Sequence, residues 1–423
     1  MTFTLLALGL LAFALISRRL ESSIFTSPMI FTLYGLMLGP FMFDWLELPM
    51  EHDGIHLLAE ITLMLVLFAD ATRIDLKLLR QQHDLPVRML AIGLPLTIIL
   101  GAGIAFFLFD QYGIWAALVL ATMLAPTDAA LGQTVVSSPR LPIRIRQALN
   151  VESGLNDGIV LPVLLIFLSL AGVSEEAQSA TQLVQFTLLQ VTLGPLVGIA
   201  VGYFGGKLLS YSVHHHNITE TFEQISAIAL AILAFGVAEQ IGGNGFISAF
   251  VAGLTLGNTS RSICKCLYEF AETEGQLLTL FVFTIFGGVL AIDAFSALTV
   301  EIVLYALLSL TVARMVPVAL SLIGSDLRWE TVFFLGWFGP RGLATVLFGL
   351  LVLNESHLTA RAEITQIAMF TVLLSIFLHG ITAYPLSKLY ADRVEAAKDE
   401  LDVQEYAAVT PMSTRLGMMD TMP

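Results

Sequence analysis

Runs of roughly twenty apolar residues, separated by short polar joints, recur along this chain and limit its fold more than any motif does. A hydrocarbon layer about 30 Å thick offers the backbone no water. A segment crossing it must therefore close its hydrogen bonds within itself, as a helix of about 20 residues does. The spans read from the sequence are 2–17, 24–43, 54–71, 86–109, 113–137, 146–171, 183–210, 221–241, 245–259, 270–291, 296–323, 330–353 and 362–387. This predicts an all-α polytopic membrane protein of about thirteen transmembrane helices. Of the 423 residues 56% are hydrophobic and only 13% charged, which argues against a soluble enzyme. The 33 glycines and 15 prolines lie inside apolar segments, so a disordered chain does not fit either.

Basic residues orient the spans. Placing alternate joints on opposite sides puts 17 of the 20 Lys and Arg on one side; Arg361 alone falls on the other, and Arg314 and Arg341 lie inside spans. The bias predicts an N-terminus outside and a C-terminus in the cytoplasm. The basic pair Arg18 and Arg19 follows the first apolar run and no small-residue cleavage site stands near it, so this reads as a retained span. The net charge of −14 resides in joints and tail and argues against a nucleic-acid partner. Cys264 and Cys266 are too close for an unstrained bridge and too poor in neighbouring ligands for zinc. Residues 1–390 read as one transmembrane unit. Residues 391–423 read as a short cytoplasmic tail, a solvated end with a short helix around 391–405, and His214, His215 and His216 as a solvated loop.

Ionisable groups inside a span cost about 2.5–3.5 kcal/mol each on insertion scales, so those present face the bundle interior and tend to have tasks. Asp128 stands in Ala125-Pro126-Thr127-Asp128, mid-span. The proline removes a backbone donor and disfavours a helical Ala125, so the span should unwind there and free carbonyls that are potential cation ligands. Capping of a following half-helix by Thr127 or Asp128 is the structural alternative. Glu152-Ser153-Gly154-Leu155-Asn156-Asp157 occupies the next span. At about 100° per residue, Glu152 and Asn156 share one row, Ser153 and Asp157 the adjacent one, and the two carboxylates point about 140° apart. Asp157 with Ser153 forms an oxygen-rich patch suited to a monovalent cation, while Glu152 faces another helix and can take a basic partner. Gly154 and Gly158 predict close helix approach.

Gly339-Pro340-Arg341-Gly342 marks a second interrupted span in the later half of the chain. Paired interruptions predict inverted repeats with a site where the breaks meet. Arg341 needs a carboxylate; Glu152 is the expected partner and Asp128 the alternative. Glu60, Glu239, Glu301, Arg314 and His379 are weaker candidates, more in keeping with paired, solvated or subunit-contact roles. A single acid that holds either a proton or a cation would couple the two flows by competition, at one proton per cation.

The combination of Ala-Pro-Thr-Asp at 125–128, Glu-Ser-Gly-Leu-Asn-Asp at 152–157 and Gly-Pro-Arg-Gly at 339–342 resembles the sodium/proton antiporters of the cation:proton antiporter superfamily, on the NhaP and NHE branch. The resemblance implies a homodimer of thirteen-helix protomers in the lipid membrane. Each would have a six-helix core, drawn in part from 86–171 and 245–387, and dimerisation helices that include 2–43 and 183–210. It implies that Asp157 carries the cation and the proton, that Glu152, Ser153, Asp128 and Thr127 are accessory cation ligands, and that Asn156 and Arg341 stabilise the site. Asn156, where electrogenic relatives have aspartate, implies electroneutral exchange. No enzyme activity and no cofactor beyond the transported Na+ (or Li+ or K+) and H+ is implied.

Overall fold

The computed structural model describes residues 2–20, 24–45, 53–81, 84–128, 131–136, 138–176, 180–260, 275–354, 358–396 and 404–406. Among these residues there are helices and no strands. Those of nine residues or more are, in chain order, α1 (Thr2–Leu20), α2 (Ser27–Leu38), α3 (Asp53–Thr72), α4 (Asp84–Leu108), α5 (Gly113–Met123), α6 (Ile143–Glu176), α7 (Ala180–His214), α8 (Glu220–Gln240), α9 (Gly245–Thr259), α10 (Gly275–Ser296), α11 (Val300–Ser321), α12 (Trp329–Trp337), α13 (Leu343–Leu353) and α14 (Arg361–Ala396). Among the described residues seven of these, α4, α6, α7, α8, α10, α11 and α14, are long and apolar enough to cross a membrane. The paired Cys264 and Cys266, and the start of the span expected at 270, lie outside the described residues.

Both interruptions expected at proline are present. The span read as 113–137 is α5, then non-helical backbone through Asp128, then a short helix Gln133–Val136. The span read as 330–353 is α12 and α13 separated by Phe338–Gly342. The span read as 296–323 is also interrupted, at Thr311, whose φ of −109° and ψ of −83° leave the helical region.

Glycines set the closest approaches. A Cβ on Gly198 or Gly202 of α7 would run into the Ser248 and Ala252 carbonyls of α9, and one on Gly253 or Gly257 of α9 would run into the Phe68 and Thr72 carbonyls of α3. The 15-residue α9 is thereby held between two neighbours at backbone contact, where dispersion rather than the hydrophobic effect provides the attraction between helices in lipid. Gly158 of α6 behaves as expected, with the Phe250 ring lying where its Cβ would be. Gly154 does not: its added Cβ meets no atom within 4 Å, so this residue borders open space.

Residues that the charge bias assigns to one face of the membrane come together at one end of the bundle. Arg88 Nε (2.8 Å) and Arg144 Nη2 (3.4 Å) both reach Asp84, and Arg88 Nη1 donates to the Ile323 carbonyl (2.8 Å). The tail takes part, which corrects the expectation of a wholly solvated end. Arg144 Nη1 donates to the Gln404 carbonyl (2.5 Å), and Glu405 Oε1 accepts from the Arg328 N–H (3.0 Å) and from Thr331 Oγ1 (2.6 Å). Glu405 is only 1% exposed. A carboxylate from beyond α14 thus caps α12, whose own N-cap residue, Arg328, provides no side-chain cap.

Removing that carboxylate with Glu405→Ala takes this acceptor from the Arg328 N–H and leaves the Thr331 hydroxyl with Tyr390 as its side-chain contact, a loss of about 1–3 kcal/mol of local stability. Amide hydrogen exchange in detergent should accelerate at residues 328–332, and a chain ending at Ala396 should show the same increase. Unchanged protection would mean that the tail contact contributes nothing to the α12 terminus.

Candidate functional site

The two interruptions lie side by side and supply each other's hydrogen bonds. Pro126 cannot donate, and the helix ends at Met123, so carbonyls of the non-helical stretch that follows have no intrahelical partner. The Arg341 guanidinium takes two of them, with Nη1 2.8 Å from the Ala125 oxygen and 3.1 Å from the Pro126 oxygen. In the other direction the Asp128 N–H donates to the Pro340 carbonyl (2.8 Å), and Asp128 Oδ2 accepts from the Leu343 N–H (2.7 Å). Asp128 therefore caps a half-helix, as its residue type suggested, but the half-helix is α13, from the opposite interruption. Gly342 is required at this crossing because a Cβ there would occupy the place of the Asp128 carboxylate.

Arg341 does not take Glu152 as its partner. Glu152 is held by Arg314 of α11 through a fork of two hydrogen bonds, Nη1–Oε1 at 2.5 Å and Nη2–Oε2 at 2.7 Å. Both side chains are buried, at 1% and 2% exposure, so desolvation is offset by bidentate, charge-assisted geometry. Sequence reasoning ranked Arg314 low because no glycine or proline flags it. The usable signal was the permanent charge of a second intramembrane arginine, which needs an anion as much as the first. Each Glu152 oxygen accepts one bond from Arg314, whose charge the carboxylate neutralises.

The rows on α6 separate as the helical period requires. Glu152 and Asn156 are each 1% exposed and face protein, with Asn156 Nδ2 donating to Thr127 Oγ1 at 2.6 Å. Ser153 and Asp157 are each 7% exposed and flank the open space at Gly154. The Ser153 hydroxyl donates back to the Asn150 carbonyl (3.2 Å), which leaves its oxygen lone pairs able to face a cation. Asp157 thus stands beside an opening, one residue from the amide that clasps the first interruption. Arg341 and Asp128 thus bond across the crossing, Asn156 bonds Thr127 beside it, and the Glu152–Arg314 pair abuts it where Arg314 lies against Gly339.

Helix α14 completes the second break. Ser375 Oγ accepts from the Arg341 N–H (2.7 Å), and His379 lies with Nδ1 3.1 Å from Ser375 Oγ and Nε2 3.0 Å from the Trp337 carbonyl. Sequence reasoning placed His379 among the weak candidates and did not single out Ser375, because a serine in an apolar helix carries no signal of what it faces.

Arg314→Ala should lower the melting temperature in detergent strongly, since breaking a buried pair on one side costs about 3–5 kcal/mol. The double variant Arg314→Met, Glu152→Met should be appreciably more stable than the single one. Equal destabilisation by Arg314→Ala and by the double variant would refute the pairing as the source of the loss.

The model for "Sodium/hydrogen exchanger, transmembrane" matches residues 4–389. Among similar chains, the Na(+)/H(+) antiporter of Schizosaccharomyces pombe is 26% identical over 345 residues, covering 72% of each chain. The K(+)/H(+) antiporter NhaP2 of Shewanella oneidensis is 24% identical over 358 residues, 83% of this chain and 59% of that one. The fold is similar to that of the solved sodium proton antiporter MjNhaP1 from Methanocaldococcus jannaschii, with a TM-score of 0.76 at 21% identity over 92% of this chain and 97% of the other. The family match covers nearly all of the described helices and includes both interruptions and the acidic motif between them, so this chain belongs to the sodium/hydrogen exchanger family of integral membrane proteins.

Proposed function

We propose that the chain is a secondary transporter that exchanges one monovalent cation for one proton, with Asp157 the carboxylate that the two occupy in turn. The observation that carries this reading is the division of labour on α6. Glu152 forms its fork with Arg314, whereas Asp157 and Ser153 lie on the adjoining row, next to Gly154, around whose position there is room. Thr127 and Asp128, at the adjoining break, are the remaining oxygen donors. Formal charges support a ratio of one. Arg314 and Arg341 balance Glu152 and Asp128, so Asp157 is neutral when it holds either one proton or one cation and bears a charge when empty. A loaded, neutral site crosses a low-dielectric barrier far more readily than an empty, ionised one, which couples the two flows.

Sodium is the first choice, with potassium or lithium open to the same chemistry, since similar chains include both a Na(+)/H(+) and a K(+)/H(+) antiporter. The reading extends to thirteen spans with inverted repeats, alternating access by movement of the core that carries the two interruptions, and a homodimer contacted through helices that include 2–43 and 183–210. It places the basic end in the cytoplasm of a prokaryotic cell, in the plasma membrane, with the N-terminus outside.

Reconstituted into sealed vesicles with a pH-sensitive dye inside, the wild-type chain should move protons when challenged with sodium, lithium or potassium, at a rate indifferent to a clamped potential. Asp157→Ala and Asp157→Asn should both be inactive, since neither can ionise. Full exchange by either would remove Asp157 from the role, and a proton flux whose reversal point follows voltage would remove the one-to-one ratio. Gly154→Phe should fill the opening beside Asp157 and cut exchange at least tenfold while leaving the folded yield intact. Gly154→Ala should be neutral.

A further inference from the structure

At the second interruption the Trp337 carbonyl on one lip accepts from the Gly339 N–H (2.9 Å), and one turn of α14 bonds both that carbonyl and the Arg341 N–H on the other lip. The Arg341 N–H donates to Ser375 Oγ at 2.7 Å, Ser375 Oγ is 3.1 Å from His379 Nδ1, and His379 Nε2 is 3.0 Å from the Trp337 oxygen. Ser375 is fully buried and His379 is 1% exposed. Nδ1 also lies 3.0 Å from the Ser375 carbonyl. The side-chain staple is made when Nε2–H donates to Trp337, the Ser375 hydroxyl donates to Nδ1, and the Arg341 N–H donates to the Ser375 hydroxyl oxygen. That arrangement is a neutral imidazole with its proton on Nε2. A second proton would convert Nδ1 from acceptor to donor and end the Ser375 hydroxyl's bond to it. It would also add a third positive charge within electrostatic reach of Arg341 at the break and Arg314 on α11, the charged groups that face this ring.

We propose that His379, acting through Ser375, is a positioning residue for the cation site, a neutral staple across the second break. Hydrogen bonds and chain neighbours connect the ring to Asp157. His379 and Ser375 hold the Arg341 backbone, and the Arg341 guanidinium holds the Ala125 and Pro126 carbonyls. Thr127, the next residue, accepts from Asn156, the neighbour of Asp157. Loosening the staple relaxes the oxygen donors around the cation. It leaves proton binding to Asp157 nearly untouched, because a proton needs one oxygen and no cage. The proposal rests on the reading that cation and proton compete at Asp157. Under that competition, roughly tenfold weaker cation binding moves the acid-side midpoint of exchange about one pH unit upward at fixed cation concentration.

The test uses the full chain in vesicles, with sodium as the probe and wild-type exchange as the reference. His379→Leu should raise the half-saturating sodium concentration about tenfold, and Ser375→Ala about threefold. Each should shift the acid-side midpoint upward in proportion and leave the rate at saturating sodium within about twofold of wild type. His379→Gln, whose amide offers an N–H to Trp337 and an oxygen to Ser375, should restore the half-saturating concentration to within about threefold of wild type. If His379→Gln is as impaired as His379→Leu, the imidazole works as a proton donor and the staple is wrong. If the variants lose maximal rate with an unchanged half-saturating concentration and midpoint, the role is merely structural and the proposal fails. Should His379→Leu not fold, Ser375→Ala decides alone, and a wild-type half-saturating concentration there overturns the idea. An inactive wild-type chain would instead count against the exchange reading of the previous section.

Discussion

Unwound backbone inside an apolar interior must find hydrogen-bond partners within the protein, and this requirement organises the centre of the molecule. Pro126 and Pro340 each stand in an interruption, and each interruption solves the problem with groups from outside its own helix. Arg341 reaches the Ala125 and Pro126 carbonyls, Asp128 reaches the Pro340 carbonyl and the Leu343 N–H, and α14 takes up what remains at the second break. Because an unpaired buried peptide group costs several kcal/mol, neither break is stable alone. The crossing is therefore a cooperative unit, and Gly342 is the point at which steric room makes it feasible.

Charge follows the same logic. Two arginines and two carboxylates are buried around the crossing, and a fork-to-fork geometry ties Arg314 to Glu152. Desolvated charges are tolerable when paired or hydrogen-bonded, and Arg341 and Asp128 are held by main-chain groups at the crossing. Asp157 is a further carboxylate on a different face of α6, near Gly154, whose added Cβ would meet no atom within 4 Å.

Around this centre the packing is close where glycine permits backbone contact, as between α9 and its neighbours α3 and α7, and ionic at the basic end. There Arg144, at the start of the helix that carries Asp157, and α12, which leads into the second break, are both bound by the segment Gln404–Tyr406. A stretch of tail with no distinctive composition thus joins the ends of the two elements that build the site.

Helical class, the placement of most apolar segments, both proline interruptions and the opposed faces of α6 were legible in the amino-acid order, because they depend on composition, on the missing proline donor and on a 3.6-residue period. These are local properties. The partner of Glu152, the destination of the Asp128 cap, the open side of Gly154 and the uses of Ser375, His379 and Glu405 were not legible. Each depends on the rotation of one helix about its axis relative to another, and a single helix's periodicity says which residues share a face without saying what that face meets. Two buried arginines, 314 and 341, looked interchangeable as partners for one carboxylate. Tertiary packing alone assigned α11 to Glu152 and turned Arg341 toward the carbonyls of the broken helix, where its fork of donors was needed more.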